Sequence, residues 1–515
     1  MLKLRAIGFA LVLISAVLGI QQNTLAQTAG IAGVAEPLGT VDMLSLPQAP
    51  VRTKIKVIRK PLPRFENETK PVATIDETVP DTIGTEAGPA PQVAAGLVKN
   101  FEGIAASGLE PPDPHMAVGP SDVLLATNAG LRVYNKNGTA ITGLVDPSSF
   151  FGVPTAFEIQ SDPKVLYDAQ SGRFFGVWIA FDQQANTGAL FVAVSTTSSA
   201  AGSFVRYQIN EPGNLPDYPG LGICGDKLIL TANDFRFSGF RFVFNGAVAF
   251  AIRKSQLTAG TTASFNRFAN VQLSGGAGQA FTIQPAHSLS VTNTCHMVAL
   301  RQSTSIQLYR ITGLPPSATL TTGTAPALAT AVSTPPDAIQ SGSSTLVNTN
   351  DSRLLDATYR SVNGGSIWTA STTGCQFAGV SGTFSCINVV ELSGVNGSAP
   401  TRRQQIVFGG ANSFSYFPAL RTDSGNNMTV VFSRSSGSNF PSLRYTTHLN
   451  SAALNTLESS ALLVAGSAPY TATRWGDYQG AALDPSDNRS IWIYGEYKRT
   501  GSNLWYTRWG QTRVP

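Results

Sequence analysis

Residues 474–497 read RWGDYQGAALDPSDNRSIWIYGEY. An Asp-Tyr pair opens a short apolar strand ending at Leu483, DPSDN makes a turn, and SIWIYGEY alternates apolar and polar residues with the period of a strand. The same grammar recurs upstream. Its openings are DPHMAVG at Asp113, DPKVLYD at Asp162, YPGLGIC at Tyr218, HSLSVTN at His287, DATYRSV at Asp356, FPALRTD at Phe417 and DYQGAAL at Asp477. Each is followed by a Gly-, Asn-, Asp- or Ser-bearing turn and an apolar second strand such as KLILTAN, MTVVFSR or SIWIYGEY. A third strand such as LRVYNK, ALFVAVS or LWYTRWG comes next. The openings stand about 50 to 70 residues apart, slightly beyond the roughly 40–50-residue period of other propeller repeats. Units of three or four antiparallel strands at this spacing predict an all-β fold, a β-propeller of seven blades. The copies at His287 and Asp356 are weak enough that six or eight blades also fit.

A ring of blades must close or leave sheet edges open at its first and last members. The last unit, 474–512, supplies three strands, and LVKNFEGI at 97–104 precedes the first unit unpaired. That segment is expected to form the outer strand of the last blade.

Composition agrees with this reading. Of 515 residues, 13% are charged, while Gly (49) and Pro (31) are abundant, the balance of a chain rich in turns and poor in helix. The net charge of +5 and pI near 9.0 are small for this length. The one basic run is RTKIKVIRK, without interleaved aromatics, which argues against a nucleic-acid partner.

Residues 1–26 have the layout of an export signal. Lys3 and Arg5 precede the apolar run 6–20, and Thr24-Leu25-Ala26 suits a peptidase. No later stretch is long and apolar enough for membrane insertion. A secreted or periplasmic location is therefore expected, where disulfides form. Cys375 and Cys386 flank a hairpin-like QFAGVSGTFS and are expected to pair, contributing roughly 2–3 kcal/mol by loop closure. Cys224 and Cys295 hold matching places in adjacent units and would bridge them, or else stay as buried thiols. Zinc is not suggested, since no CxxC pair exists. Residues 27–96 are Pro-rich and aperiodic, which predicts a disordered or extended lead before the propeller domain, 97–515.

The openings and the flanking FEGI…PPDPHMAVGPSDV and RWGDYQGAALDP…IWIYGEY resemble secreted bacterial propellers of the sialidase-like (BNR-repeat) superfamily, over about residues 97–512. That family's Asp box reads Ser-x-Asp-x-Gly-x-x-Trp. Its nearest counterpart here is Ser361-Val-Asn363-Gly-Gly365-Ser-Ile-Trp368, and STTSSAAGSF (195–204) is a weaker echo. The same residues also read as a plain hairpin turn followed by a strand aromatic. The resemblance implies an arginine triad, a Tyr activated by Glu and an Asp acid/base. The Arg-Ile-Pro motif of the first arginine is missing, so no catalytic residue carries over by position.

In a propeller the leading ends of the innermost strands meet at one mouth. Repeat alignment therefore gathers Asp113, His115, Asp162, Asp217, Tyr218, His287, Asp356, Tyr416, Arg474 and Asp477 on one rim. Crowded carboxylates raise one another's pKa unless a cation compensates. The rim could work as an acid/base pair on a glycoside or hold a hard cation such as calcium. In the third reading each Asp bonds a turn or the next blade's backbone. Trp178, Trp368 and Trp492 match in position and are expected in the core between blades, and packing is also the first expectation for Trp475, Trp505 and Trp509. His448 is expected on a strand surface. No organic cofactor is implied, and the sequence does not fix an oligomeric state. The function expected first is a binding module for an extracellular glycan or protein. A divergent sialidase-like glycoside hydrolase and a scaffold without a small ligand are the alternatives.

Overall fold

A computed structural model describes residues 27–50, 56–58, 73–75, 95–106, 108–238, 241–472, 474–501 and 504–514. The expected export signal, 1–26, lies outside them. The structure is a seven-bladed β-propeller. Blade 1 comprises His115–Val118, Asp122–Thr127 and Gly130–Asn135. Blade 2 follows with Ile159–Asp168, Arg173–Asp182, Thr187–Ser195 and Ser203–Pro212. Each later blade repeats this inside-to-outside meander.

The ring closes as the sequence predicts. Gly96–Ala105 pairs antiparallel with Tyr506–Arg513 as the outer strand of blade 7. Aromatic packing fixes this seam. Trp509 is fully buried, with ring centroids 4.8 Å from Phe101, 5.3 Å from Tyr134 and 5.3 Å from Trp492. Its indole N–H donates to the Glu102 carbonyl at 3.1 Å. All six tryptophans are buried, including Trp475 and Trp505. Both disulfides form: Cys224–Cys295 ties blade 3 to blade 4, and Cys375–Cys386 clasps the second and third strands of blade 5.

The inner strands begin with a shared irregularity. Asp113, Asp162, Tyr218, Thr282 and Phe417 have positive φ of 48° to 62°, a left-handed conformation that non-glycine residues adopt only under restraint. In blades 2, 3 and 6 a bulge interrupts the ladder at this point. Proline follows in four cases: Pro114, Pro163, Pro219 and Pro418. A bulge leaves a backbone donor without a ladder partner, and proline has none to leave.

Two expectations change. Residues 27–50 are not disordered. Gln27–Ala29, Ile31–Ala35 and Pro37–Asp42 add a fifth strand outside blades 4, 3 and 2 respectively. Strand pairing through the backbone needs no hydrophobic periodicity, so the lead carries no sequence signal of it. Residues 56–58 and 73–75 are also extended, and the rest of 51–94 lies outside the described residues. His448 is buried, its Nδ1 2.7 Å from the Thr456 carbonyl, because it packs against blade 5, with Trp368 at 5.5 Å and Gln404 Nε2 3.1 Å from its Nε2. The Asn363 segment is the plain hairpin turn, between the first and second strands of blade 5. The weaker echo does lie at the outer turn of blade 2, where Asp122 of blade 1 accepts from the Ser199 hydroxyl and the Ala200 N–H.

Because one tryptophan knits the first and last parts of the chain, Trp509→Ala should destabilise the whole ring by about 3–5 kcal/mol. The urea midpoint of unfolding measures it. A loss below about 1 kcal/mol would mean that the seam does not hold the ring.

Candidate functional site

The channel has an upper mouth, where inner strands begin, and a lower mouth, where they end. The upper mouth is filled. Tyr218 and Tyr478 meet edge-on at 5.7 Å, and the Lys164 ammonium lies 3.0 Å from the Tyr478 ring centroid. Trp475 packs against Tyr416 and Tyr470. A hairpin of Ala338–Gln340 and Ser343–Val347 lies over blade 6, with the Ser435 hydroxyl donating to the Ile339 carbonyl and Gln340 bonded to both backbone groups of Tyr470. The lead contributes Ile58, whose N–H donates to the Glu110 carbonyl and whose own carbonyl accepts from Arg474.

Beneath this cover the acids are paired. Asp113 accepts from Asn128 Nδ2 at 2.7 Å and from the Asp477 N–H at 2.7 Å. Asp162 accepts from the Tyr218 N–H at 3.2 Å. Arg474 grips both Asp477 oxygens at 2.6 and 2.7 Å, and Arg353 grips Asp351 through two bonds of 2.7 Å. Arg421 Nη1 reaches both Asp356 oxygens at 2.8 Å. Lys164 is wholly enclosed, so burial pulls its pKa down to about 7 against the pull of Asp356, Asp162 and Asp113. Burial also holds His115 well below its ordinary value, with Lys164 and Arg421 adding to the effect. Glu496 is pushed well up by burial, although its Oε2 accepts from the Gly476 N–H at 2.8 Å.

Of the ten rim residues, Asp113, His115, Asp162, Tyr218, Asp356, Arg474 and Asp477 do converge in this plug. Asp217 is buried one position before Tyr218, opposite Asn233 in the blade 3 ladder. Two positions are corrected. Tyr416 is sealed under the hairpin, its hydroxyl on Ser435 at 3.2 Å. His287 is not at the leading end of its strand. Thr282 holds that place, with positive φ and its N–H donated to Asn233 Oδ1 at 2.8 Å. His287 lies five residues on, paired in parallel with Thr358. Lys164, Asp351, Arg353 and Glu496 escaped the sequence reading. Lys164 had a signal, since DPK places it where DPH places His115. The pair Asp351–Arg353 sits in a connection between blades and had none.

The lower mouth is open. A cavity of ≈ 80 Å³ is lined there by the strand ends of blades 1, 2, 4, 6 and 7, including Val118, Asp168, His287, Arg421 and Ala482. Arg421 spends only Nη1 on hydrogen bonds among the described residues. Among the described residues the buried His287 Nδ1 has no hydrogen-bond partner. Lys254 pairs with Asp168 at 2.7 Å on the same side. Burial, then Arg421, lowers the His287 pKa to about 3, with Lys254 and Arg360 adding and Asp168 opposing. Among the described residues no group of three or more His, Cys, Asp or Glu side chains is placed to hold a metal ion.

No protein-family model and no curated protein sequence matches the chain. Solved structures do align with it. A Dyadobacter fermentans protein of unknown function covers 82% of this chain and 100% of its own at 10% identity, TM-score 0.40. A Hadza microbial sialidase covers 76% and 73% at 10% identity, TM-score 0.36. The endosialidase of phage phi92 covers 81% and 70% at 8% identity, TM-score 0.39. These are likenesses of fold.

The buried histidines predict acid sensitivity. The folded pKa of His287 (about 3) and of His296 (about 4, lowered by burial and then Arg310) lies below the ordinary 6.5. Between pH 6.5 and 4 the unfolded chain binds more protons, so stability falls as pH falls, by up to about 1.4 kcal/mol per unit for each histidine. Urea midpoints at pH 7, 5.5 and 4.5 should drop, and His287→Gln should flatten the slope. An unchanged slope in that variant would remove His287 from the account.

Proposed function

We propose that the protein is an exported binding module that takes an extracellular glycan at the lower mouth of its channel. One observation carries this reading: Arg421 lines an open cavity with its Nε and Nη2 outside every hydrogen bond among the described residues, beside the His287 imidazole, whereas the carboxylates of the upper mouth are paired and covered. A guanidinium with two free nitrogens suits hydroxyl or carboxylate oxygens in a fixed fork geometry. A neutral imidazole offers one donor and one acceptor, which suits a hydroxyl. Ala482, Leu483 and Pro485 supply an apolar wall for a sugar face. Binding is preferred to hydrolysis because a glycosidase needs two carboxyl groups free to reach the scissile bond, and Asp113, Asp356 and Asp477 are each held by a backbone N–H or an arginine.

The test is thermal unfolding of the full exported chain with neutral and acidic oligosaccharides. A ligand at a hundred times its dissociation constant adds about 2.7 kcal/mol, a clear rise in Tm. Ala482→Trp, which fills the cavity, should abolish the rise and leave the unliganded Tm nearly unchanged. A rise that survives Ala482→Trp would move the site elsewhere. No rise with any sugar would favour a protein partner or a scaffold role.

A further inference from the structure

Four carboxyl groups meet beside one guanidinium in the upper mouth. Glu110, Asp113, Asp477 and Glu496 are all buried, and Arg474 lies among them. Arg474 spends its guanidinium on both Asp477 oxygens and on the Ile58 carbonyl, and its backbone N–H goes to Glu110 Oε1. Asp113 takes the Asp477 N–H and Asn128 Nδ2. Glu496 is left with one hydrogen bond among the described residues, from the Gly476 N–H to Oε2 at 2.8 Å. Its Oε1 is buried and has no partner among them.

The site is tight. A Cβ on Gly476 would lie 3.0 Å from Glu496 Oε2 and 3.3 Å from the Asp113 nitrogen. An ionised carboxylate there is dry and has no cation of its own, and a group so placed takes up a proton instead. Burial drives the Glu496 pKa well up, and Asp113, Glu110 and Asp477 add to the rise against the Gly476 N–H. Tyr416 and Tyr470 face the same carboxyl and bring no charge, since burial holds both phenols above their ordinary value. Over these groups lies the lead. Residues 56 and 57 pair in parallel with Leu109 and Glu110, and the Ile58 N–H donates to the Glu110 carbonyl at 2.8 Å. Two residue pairs and the Arg474 bond are a light hold, of the kind that opens locally before the whole fold does.

We propose that Glu496 holds a proton at neutral pH that keeps residues 56–58 seated on the upper mouth, and that its loss in alkali releases them. The proton leaves a carboxyl oxygen of Glu496 for water, and no other covalent bond changes. The ion so formed repels Glu110, Asp113 and Asp477 and has to be hydrated. Glu110 bears that repulsion on its side chain and the lead on its backbone, so the lead is the cover that yields. Because the folded pKa is raised, the folded state binds the extra proton and loses stability as pH climbs from the ordinary carboxyl range through the folded value. The device acts on the covered mouth and does not depend on what the lower mouth binds.

The full-length chain and its Glu496→Gln variant test it, because the amide keeps the shape and cannot ionise. Their infrared difference spectrum at pH 7 should show the carbonyl band of a protonated carboxyl group in the unsubstituted protein. Amide exchange of the peptide that carries Val57 and Ile58 is then followed by mass spectrometry at pH 6, 8 and 9.5. Between the first and the last, its protection should fall at least tenfold further in the unsubstituted protein than in Glu496→Gln, which cancels the intrinsic pH dependence of exchange. Peptides around Trp509 should exchange alike in both proteins, the mark of local opening. Glu110→Gln removes one repelling neighbour, leaves Glu496 in place, and should lessen the loss of protection. An ionised carboxylate at pH 7 overturns the proton. An equal loss of protection in the unsubstituted protein and Glu496→Gln overturns the release, and so does an undiminished loss in Glu110→Gln should Glu496→Gln not fold.

Discussion

The ring depends on one repeated hydrogen bond. At the start of an inner strand the backbone turns left-handed, and its N–H points sideways into the neighbouring blade. Asn128 Oδ1 receives the N–H of Asp162, Asp162 that of Tyr218, Asn233 that of Thr282, Thr372 that of Phe417, and Asp113 that of Asp477. Where the acceptor is a carboxylate, Asp113 or Asp162, such a bond is worth about 1.5–3 kcal/mol, and at the neutral Asn128, Asn233 and Thr372 about 0.5–1.5 kcal/mol. At Asp162, Tyr218, Thr282 and Phe417 the donor is itself the left-handed residue, and the acceptor restrains its φ. The five bonds fix how blades 1 and 2, 2 and 3, 3 and 4, 5 and 6, and 7 and 1 meet.

That use of the carboxylates decides what the channel can do. An acid that holds a neighbouring backbone cannot turn to a ligand without loosening the junction it holds. The arginines are distributed by the same logic: Arg353, Arg421 and Arg474 each answer an aspartate, and Lys164 lies against Tyr478 within the field of Asp356, Asp162 and Asp113. Buried pairs of this sort return little net stability, since desolvation offsets much of their attraction. They do impose a single arrangement on the channel. Chemical freedom is left at the lower end, where Arg421 reaches past Asp356 toward solvent.

Much of this was legible beforehand. The repeats, the closing strand at 97–104, both disulfides and seven of the ten rim positions follow from turn chemistry and alternation. In blade 4 the inner strand opens on Thr282-Ile283 instead of an X-Pro pair, so the repeat grammar points five residues on, to His287. The plug was illegible because its members come from connections: Asp351 and Arg353 precede a strand, and the hairpin at 338–347 is Ser- and Thr-rich with no alternation. The pairing of the lead is illegible for a different reason. GIAGVA has neither charge pattern nor bulk, and what docks it is a row of peptide groups any sequence possesses.

The closing strand also sets an order of events in synthesis. Gly96–Ala105 leaves the ribosome some 400 residues before Tyr506–Arg513, its only ladder partner among the described residues. Throughout that interval it is an open strand, at a translation rate of roughly 5–20 residues per second. Six blades can form while it waits, but none of them can seal the circle. The last few seconds of synthesis therefore complete the domain in one step that joins its two ends, and such long-range pairing is intrinsically slow. A chain stopped short of Trp509 would hold nearly all its blades and still be open.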